Sequence, residues 1–381
     1  MVLAVFLMRF GEGIIGGVRT NFFVDTMGLS GGQVLWLEGI REIPGLAAML
    51  IAAVIMHLPL ARRSGAAVSI MGVGYLLYAV AHSYLGLIGF ALLASLGMHI
   101  YQPLHNVLGM SLVPKEHSGR VLGTLASVGA LASIIGMGAL TLVSRLSAQL
   151  SLRAYYVTGG IIIVLAGLLI ARLPKTLGAT AIEQPRMLIK RRYWLYYVLT
   201  FFEGSRKQVL GTFGSLVLVQ LYNFEVWQIS LILVTSAVIN FLCAPIMGSL
   251  VDRFGERRML PMSYLILGLC CLGFATISNV WVLQGLLLTI KLFVTLSLGL
   301  PTYVNRIAPA EELAPTLSAG TSINHVTSVA MPLIAGAVLP LVGYQGIFVG
   351  TAALIFASVP FAIALRTEKR LIQQPHPVMA E

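Results

Sequence analysis

Gly248-Ser249-Leu250-Val251-Asp252-Arg253-Phe254-Gly255-Glu256-Arg257-Arg258 is a short, densely charged connection between two apolar runs, near 227–250 and 259–278. Its charge density is out of keeping with the rest of the chain. Of 381 residues, 57% are hydrophobic and 10% charged, whereas a soluble domain carries roughly a quarter charged residues. Water is therefore not the main solvent. The apolar residues come in runs of the length that crosses a hydrocarbon core about 30 Å thick, roughly 20 residues per helix.

The formal net charge of +11 does not point to nucleic acid. The basic residues lie in short connections between apolar runs and form no basic domain beside base-stacking aromatics. Cys243, Cys270 and Cys271 all fall inside apolar segments, which supports neither a disulfide framework nor a paired Cys/His zinc site. Met1 opens directly into apolar sequence with no basic lead-in and no small-residue cleavage site, so the first segment is expected to stay in the protein.

Working outward from the opening stretch, breaks with turn chemistry divide the chain into twelve expected helices. They lie near 3–25, 32–57, 65–83, 85–112, 118–144, 154–173, 193–221, 227–250, 259–278, 281–305, 313–340 and 345–365. Lys and Arg concentrate in alternate connections: Arg62 and Arg63; Lys115 and Arg120; Lys175, Arg186, Lys190, Arg191 and Arg192; Arg253, Arg257 and Arg258; Arg306; and Arg366, Lys369 and Arg370. Only Arg145 and Arg153 fall opposite. Because basic loops stay in the cytoplasm, both termini are expected there, which requires an even number of spans. Trp36, Trp194, Trp227 and Trp281 fall near expected helix ends, where indoles favour the membrane interface.

The chain also repeats. A shift of 191 residues places Glu12-Gly13 on Glu203-Gly204, Trp36 on Trp227 and Arg62 on Arg253; a shift of 195 places Pro114 on Pro309 and Ser127 on Ser322. Two parallel six-helix halves are the arrangement in which bundles rock about a central site. The expected units are an N-terminal bundle at 1–173, a linker at 174–192, a C-terminal bundle at 193–366 and a tail at 367–381.

With the repeat in hand, the opening stretch resembles the loop signature of the major facilitator superfamily: a glycine (Gly248), then Asp252-Arg253-Phe254-Gly255, then Arg257 and Arg258. The resemblance implies an all-α membrane fold of twelve transmembrane helices. It also implies a conformational latch at Gly248, Asp252, Arg253, Gly255, Arg257 and Arg258. The first-half counterpart, Leu58-Pro59-Leu60-Ala61-Arg62-Arg63-Ser64-Gly65, carries Ala61 where the signature has aspartate, which implies a weak or absent latch there. The antiporter-type pattern is incomplete, since Gly129 to Gly138 lacks its proline. A narrower resemblance, to a bacterial subgroup, rests on Phe201-Phe202-Glu203-Gly204-Ser205-Arg206-Lys207-Gln208 and Ser322-Ile323-Asn324-His325. It brings no substrate.

Ionisable side chains at membrane depth are costly and by default functional. Arg9, Glu12, Gly16 and Arg19 share one face of the first helix. Glu38, Arg41 and Glu42 follow in the second, Glu203, Arg206 and Lys207 in the seventh, and Lys291 in the tenth. Six basic residues against four acidic ones leave two positive charges without protein partners. An anionic solute held by an arginine fork would supply them; the bland alternative is that the pairs only join helices. His99, Gln102, His105 and Asn106 form a polar patch beside Pro103, and His325 beside Asn324 is a candidate proton carrier. His99 and His105 do not share a face, so no metal site is expected from that pair. Small residues at Gly119, Gly123, Ser127 and Ala130 offer close helix packing.

The resulting expectation is a monomeric secondary transporter of a small anionic organic solute in a bacterial plasma membrane, proton-coupled and working by alternating access. Its substrate-binding and coupling residues are Arg9, Glu12, Arg19, Glu38, Arg41, Glu203, Arg206, Lys207, Lys291, Asn324 and His325, with no cofactor, no metal and no nucleic-acid partner. An exporter of amphiphilic compounds and a non-transporting receptor or scaffold on the same fold are the alternatives. An enzyme is not expected, because the chain has no HExxH pair and no P-loop.

Overall fold

The computed structural model describes residues 1–47, 58–114, 117–147, 150–177 and 189–365, and within these it is helical with no strand. The second half of the expected second span (48–57), most of the linker (178–188), the tail, and Lys115, Arg186, Arg366, Lys369 and Arg370 lie outside the described residues. In the first half of the chain the helices are α1 (Val2–Asn21), α2 (Gly31–Ile40), α3 (Leu60–Tyr78), α4 (Tyr84–Met110), α5 (Ser118–Leu146) and α6 (Leu152–Ala171). The second half adds α7 (Trp194–Gln208), α8 (Gly214–Tyr222), α9 (Val226–Phe254), α10 (Glu256–Thr276), α11 (Val280–Phe293), α12 (Gly299–Ile307) and α13 (Ala310–Ile363). A π-helical turn at Phe22–Thr26 extends α1, and another at Val209–Phe213 joins α7 to α8. A 3-10 turn at Val294–Leu298 joins α11 to α12.

Seven helices among the described residues are long and apolar enough to cross a membrane. The last of these, Glu311–Ile363, is broken at Gly343, whose φ of 67° and ψ of −179° are non-helical. Glycine meets that positive φ without a Cβ penalty, so one residue does the work expected of the Gly343–Gly346 turn. The expected second span is also interrupted: α2 ends at Ile40, Arg41 and Glu42 form a turn, and helix resumes at 43–47.

The charged residues stand within the terminal turns of helices, a few residues inside the expected breaks. Arg62 and Arg63 are inside α3, Asp252 and Arg253 inside the last turn of α9, and Arg257 and Arg258 inside the first turn of α10. Charged side chains fit a helix, whereas a residue at positive φ can break one. In the opening stretch that residue is Gly255, with φ 78°.

Glycine permits the tight packing, though at other positions than expected. Gly119 and Gly123 face open space. Instead, a Cβ on Gly136 of α5 would stand 2.2 Å from the Phe10 carbonyl oxygen of α1, and one on Gly13 of α1 would stand 2.5 Å from that of Ser133. The two backbones therefore touch. Gly136→Ala should lower thermal stability in detergent by about 1–3 kcal/mol through overpacking, while Gly123→Ala leaves it unchanged or raises it; equal melting temperatures for both variants would contradict this packing.

α1 packs on α5 and α6, and α3 on α4 and α6, within the first half; α13 packs on α7 and α10 within the second. The halves of the chain meet where α2 lies on α13 and α5 on α9. Trp36 Nε1 donates to the Leu333 carbonyl at 3.0 Å, Asn21 Nδ2 to that of Phe224 at 2.7 Å, and Gln220 Nε2 to that of Leu29 at 2.8 Å. The Thr141 and Ser230 hydroxyls pair at 2.8 Å. These contacts come from the end of α1, the starts of α2 and α9, the ends of α5 and α8 and the region before Gly343, which is one end of the molecule. Exposed Leu142, Leu165, Leu168, Leu242 and Leu269 cover outer helix faces, an apolar surface suited to lipid.

Candidate functional site

α7 places Glu203, Arg206 and Lys207 on a cavity of about 370 Å³, which Lys291 of α11, Ser297 and Asn324 of α13 also line. The position of α7 is fixed by Gly204. A Cβ there would stand 2.0 Å from Thr327 Oγ1 and 2.5 Å from the Asn324 carbonyl oxygen, so α7 lies directly on the α13 backbone. Glu203 and Arg206 follow one turn apart and turn toward the cavity side.

The cations of the cavity are held differently. Arg206 is 3% exposed; its guanidinium carbon lies 4.1 Å from the Tyr264 ring centroid, and its Nη1 is buried with no hydrogen-bond partner. Lys291 Nζ donates to the Gly211 carbonyl at 2.5 Å. Gly211 belongs to the π-helical turn Val209–Phe213, and such turns loosen the regular backbone bonding of a helix. Lys207 Nζ lies 2.9 Å from Glu42 Oε2, outside α7 altogether. Glu203 has Ser297 within hydrogen-bonding reach and feels the charge of Arg206.

The remaining expected residues divide into separate groups. Arg9 and Glu12 pair with each other at 2.9 Å, and neither lines the cavity. Glu38, 1% exposed, joins α1 to the end of α2, with Arg19 Nε at 3.8 Å and Arg41 Nη1 at 3.3 Å. The expected meeting of Arg9 and Glu12 with Glu203, Arg206 and Lys207 is not among the contacts formed: the first-half partner of Lys207 is Glu42. His325 Nδ1 also lies on Glu42, at 3.2 Å. Sequence reasoning named Glu42 only as one charge of a cluster and missed Tyr264 and Ser297. Spacing ties Glu42 to Glu38 on one face but carries no information about which other helix that face meets.

At the opening stretch, Asp252 Oδ1 lies 3.3 Å from Arg306 Nη2, and Arg306 Nε lies 2.9 Å from Glu256 Oε1. Glu256 is fully buried and also accepts from Thr302 Oγ1 at 2.9 Å. Arg257 Nε donates to the Ile363 carbonyl at 2.9 Å, and Arg253 lies over the Phe254 ring. Gly248 faces open space. Nearby, Glu312 at the start of α13 accepts from Lys190 Nζ and Tyr193 Oη, each at 2.8 Å, and pairs with Arg192. This clamp ties the end of the linker to α13.

Residues 196–379 match the Major Facilitator Superfamily family model. That stretch, just under half of the chain, resembles the superfamily. No curated protein sequence matches the chain, while solved transporter structures share its fold over nearly its whole length. The nucleoside transporter NupG superposes with a TM-score of 0.75 at 14% identity, covering 94% of this chain and 97% of NupG. A single-site variant of NupG gives 0.79, also at 14% identity, over 96% and 98%. A bacterial homologue of the human lysosomal transporter Spinster, inward-facing and occupied, gives 0.70 at 14% identity over 95% and 93%. By fold the chain is similar to these transporters, and its long apolar helices suit a multi-pass membrane protein.

Proposed function

We propose that this chain is a secondary transporter of a small organic anion, coupled to protons, whose substrate occupies the cavity between α7, α11 and α13. One observation carries the reading: among the described residues, Arg206 is buried on the cavity wall with Nη1 unpartnered, and Lys291 beside it is met by a backbone carbonyl and no carboxylate. A buried cationic donor without an acceptor is costly, and a carboxylate or phosphate would satisfy it in a charge-assisted pair. The volume of about 370 Å³ is within the range of small-molecule pockets. The nucleoside named for NupG is not carried over, since a neutral solute would offer Arg206 Nη1 no charged acceptor.

Twelve spans in two six-helix bundles accommodate the described helices, counting α7 with α8, α11 with α12, and the two parts of α13 on either side of Gly343. With basic connections in the cytoplasm, the end where the halves meet faces outward, so the cavity opens inward and both termini are cytoplasmic. Cysteines placed at the exposed Ser147 and Asn223 should then react with an impermeant maleimide from outside intact cells. Reaction of either from the cytoplasmic side alone would reverse or break this topology.

The Asp252–Arg306–Glu256 network belongs to the second half of the chain and lies away from the cavity, which supports a switching role for the signature residues. Asp252→Asn should slow transport severalfold while leaving the equilibrium affinity for substrate within about twofold. An equal, large loss of binding would count against the latch. For the function itself, small organic anions and their neutral isosteres should be compared by thermal shift on purified protein, because a ligand that binds only the folded state raises apparent stability. Stabilisation by an anion and not by its isostere is expected. Stabilisation by amphiphilic cations alone would favour the exporter reading, and binding without flux a receptor.

A further inference from the structure

Behind the wall of the cavity, three residues far apart in sequence converge. Glu42 lies in the turn after α2, His99 on α4 and His325 on α13, and a carboxylate oxygen and one ring nitrogen from each histidine all lie within 4.8 Å of one another. The two imidazole rings stand edge to face with centroids 5.1 Å apart. Glu42 and His99 are 2% and 5% exposed.

The hydrogen bonding of His99 fixes its tautomer. Its Nδ1 lies 2.9 Å from the Ser95 carbonyl oxygen, which can only accept, so Nδ1 carries the hydrogen. The Ser95 hydroxyl donates to the Arg41 carbonyl and stands 3.0 Å from the same Nδ1 as a second acceptor. A neutral His99 therefore aims the bare lone pair of Nε2 at Glu42 Oε2, 3.8 Å away. A lone pair facing a carboxylate is repelled unless a cation enters between them. An orienting bond on the far nitrogen is also the usual support of a metal-bound histidine.

A second, independent feature clears the space. A Cβ on Gly45 would stand 2.8 Å from atoms of both His99 and His325, so only glycine at 45 lets the rings meet over Glu42. Neither the anion cavity nor the expected helix packing requires that.

We propose that Glu42, His99 and His325 form a binding site for one divalent transition-metal ion of the zinc class. Imidazole and carboxylate suit such ions. Bonds of about 2.0–2.1 Å place tetrahedral ligand atoms about 3.4 Å apart, so closure by about an ångström completes the triad. His99 contributes Nε2; His325 contributes Nδ1 once its ring takes the Nε2–H tautomer. Lys207 now occupies Glu42 Oε2 at 2.9 Å, with Gln208 Nε2 on Oε1 at 3.2 Å. The side chain of Lys207 is 41% exposed and borders the cavity, so its ammonium can withdraw when the ion enters. Two ligands come from the first half of the chain and one from the second. A bound ion thus ties α4 to α13 and holds the conformer in which they meet. The site does not depend on the transport reading.

The test is equilibrium binding of Zn²⁺ alone to the purified full-length protein, by competition with a chromophoric chelator, with X-ray absorption at the zinc edge. One ion per chain is expected, with nitrogen and oxygen ligands at 2.0–2.1 Å. Glu42→Gln, His99→Gln and His325→Gln should each weaken binding at least tenfold. Lys207→Met should strengthen it severalfold by removing the competing ammonium, and that gain cannot arise from misfolding. Zinc should also raise the melting temperature of the wild type reversibly, with EDTA restoring the original value. Absence of binding at micromolar free zinc overturns the proposal. So does a zinc site insensitive to the three substitutions, or a cluster that takes up only protons with no change on adding metal.

Discussion

Arg206→Ala should abolish substrate binding and both directions of flux. The side chain is 3% exposed, stacked on Tyr264, and presents an unpartnered Nη1 at the cavity wall. Removing one partner of a buried charge pair costs about 2–5 kcal/mol, which is about thirtyfold to several thousandfold in Kd. Arg206→Lys should fall between the two, since an ammonium keeps the charge and loses the planar fork. Truncation also opens a gap beside Tyr264, so thermal unfolding of each variant must accompany the flux assay. A well-folded Arg206→Ala protein that binds and transports normally would place the anion site elsewhere.

Glu203→Gln should remove proton-driven accumulation and leave counterflow of the same solute measurable. Glu203 is within a helical turn of Arg206 and Lys207 and shares the cavity with them. While the site is empty its carboxylate balances the nearest cation. An arriving anion competes for that cation, and Glu203 then takes a proton, so no unpaired charge is buried at either stage. Glutamine keeps the shape and one acceptor but cannot ionise. Accumulation of solute by Glu203→Gln under a pH gradient alone would rule out this coupling role. Lys207 modifies the scheme in one respect: its pairing with Glu42 links occupancy of the cavity to a contact between the two halves of the chain.

The apolar runs were legible because they depend on local composition. The runs appear as helices at close to their expected places, and Glu203, Arg206, Lys207, Lys291 and Asn324 do share one cavity. What sequence could not supply was the register between helices. Periodicity places Arg9 and Glu12 on one face of α1, yet it does not say that they would pair with each other and leave Lys207 to Glu42. The triad of Glu42, His99 and His325 was hidden for the same reason, since its members lie on three elements and His99 was weighed only against His105. Small residues likewise announce close packing without locating it: Gly136 meets a backbone and Gly123 meets nothing.

An anion that satisfies the buried cations of the cavity should be carried across the membrane. Entrance counterflow in proteoliposomes of the purified chain tests this most directly. The liposomes are preloaded with an unlabelled organic anion that stabilises the protein, and uptake of the labelled anion is followed with no ion gradient present. The account predicts a saturable overshoot for the carboxylate- or phosphate-bearing solute, none for its neutral isostere, and none with Arg206→Ala. Equal overshoot for the neutral isostere, or an undiminished overshoot with a folded Arg206→Ala protein, would contradict it.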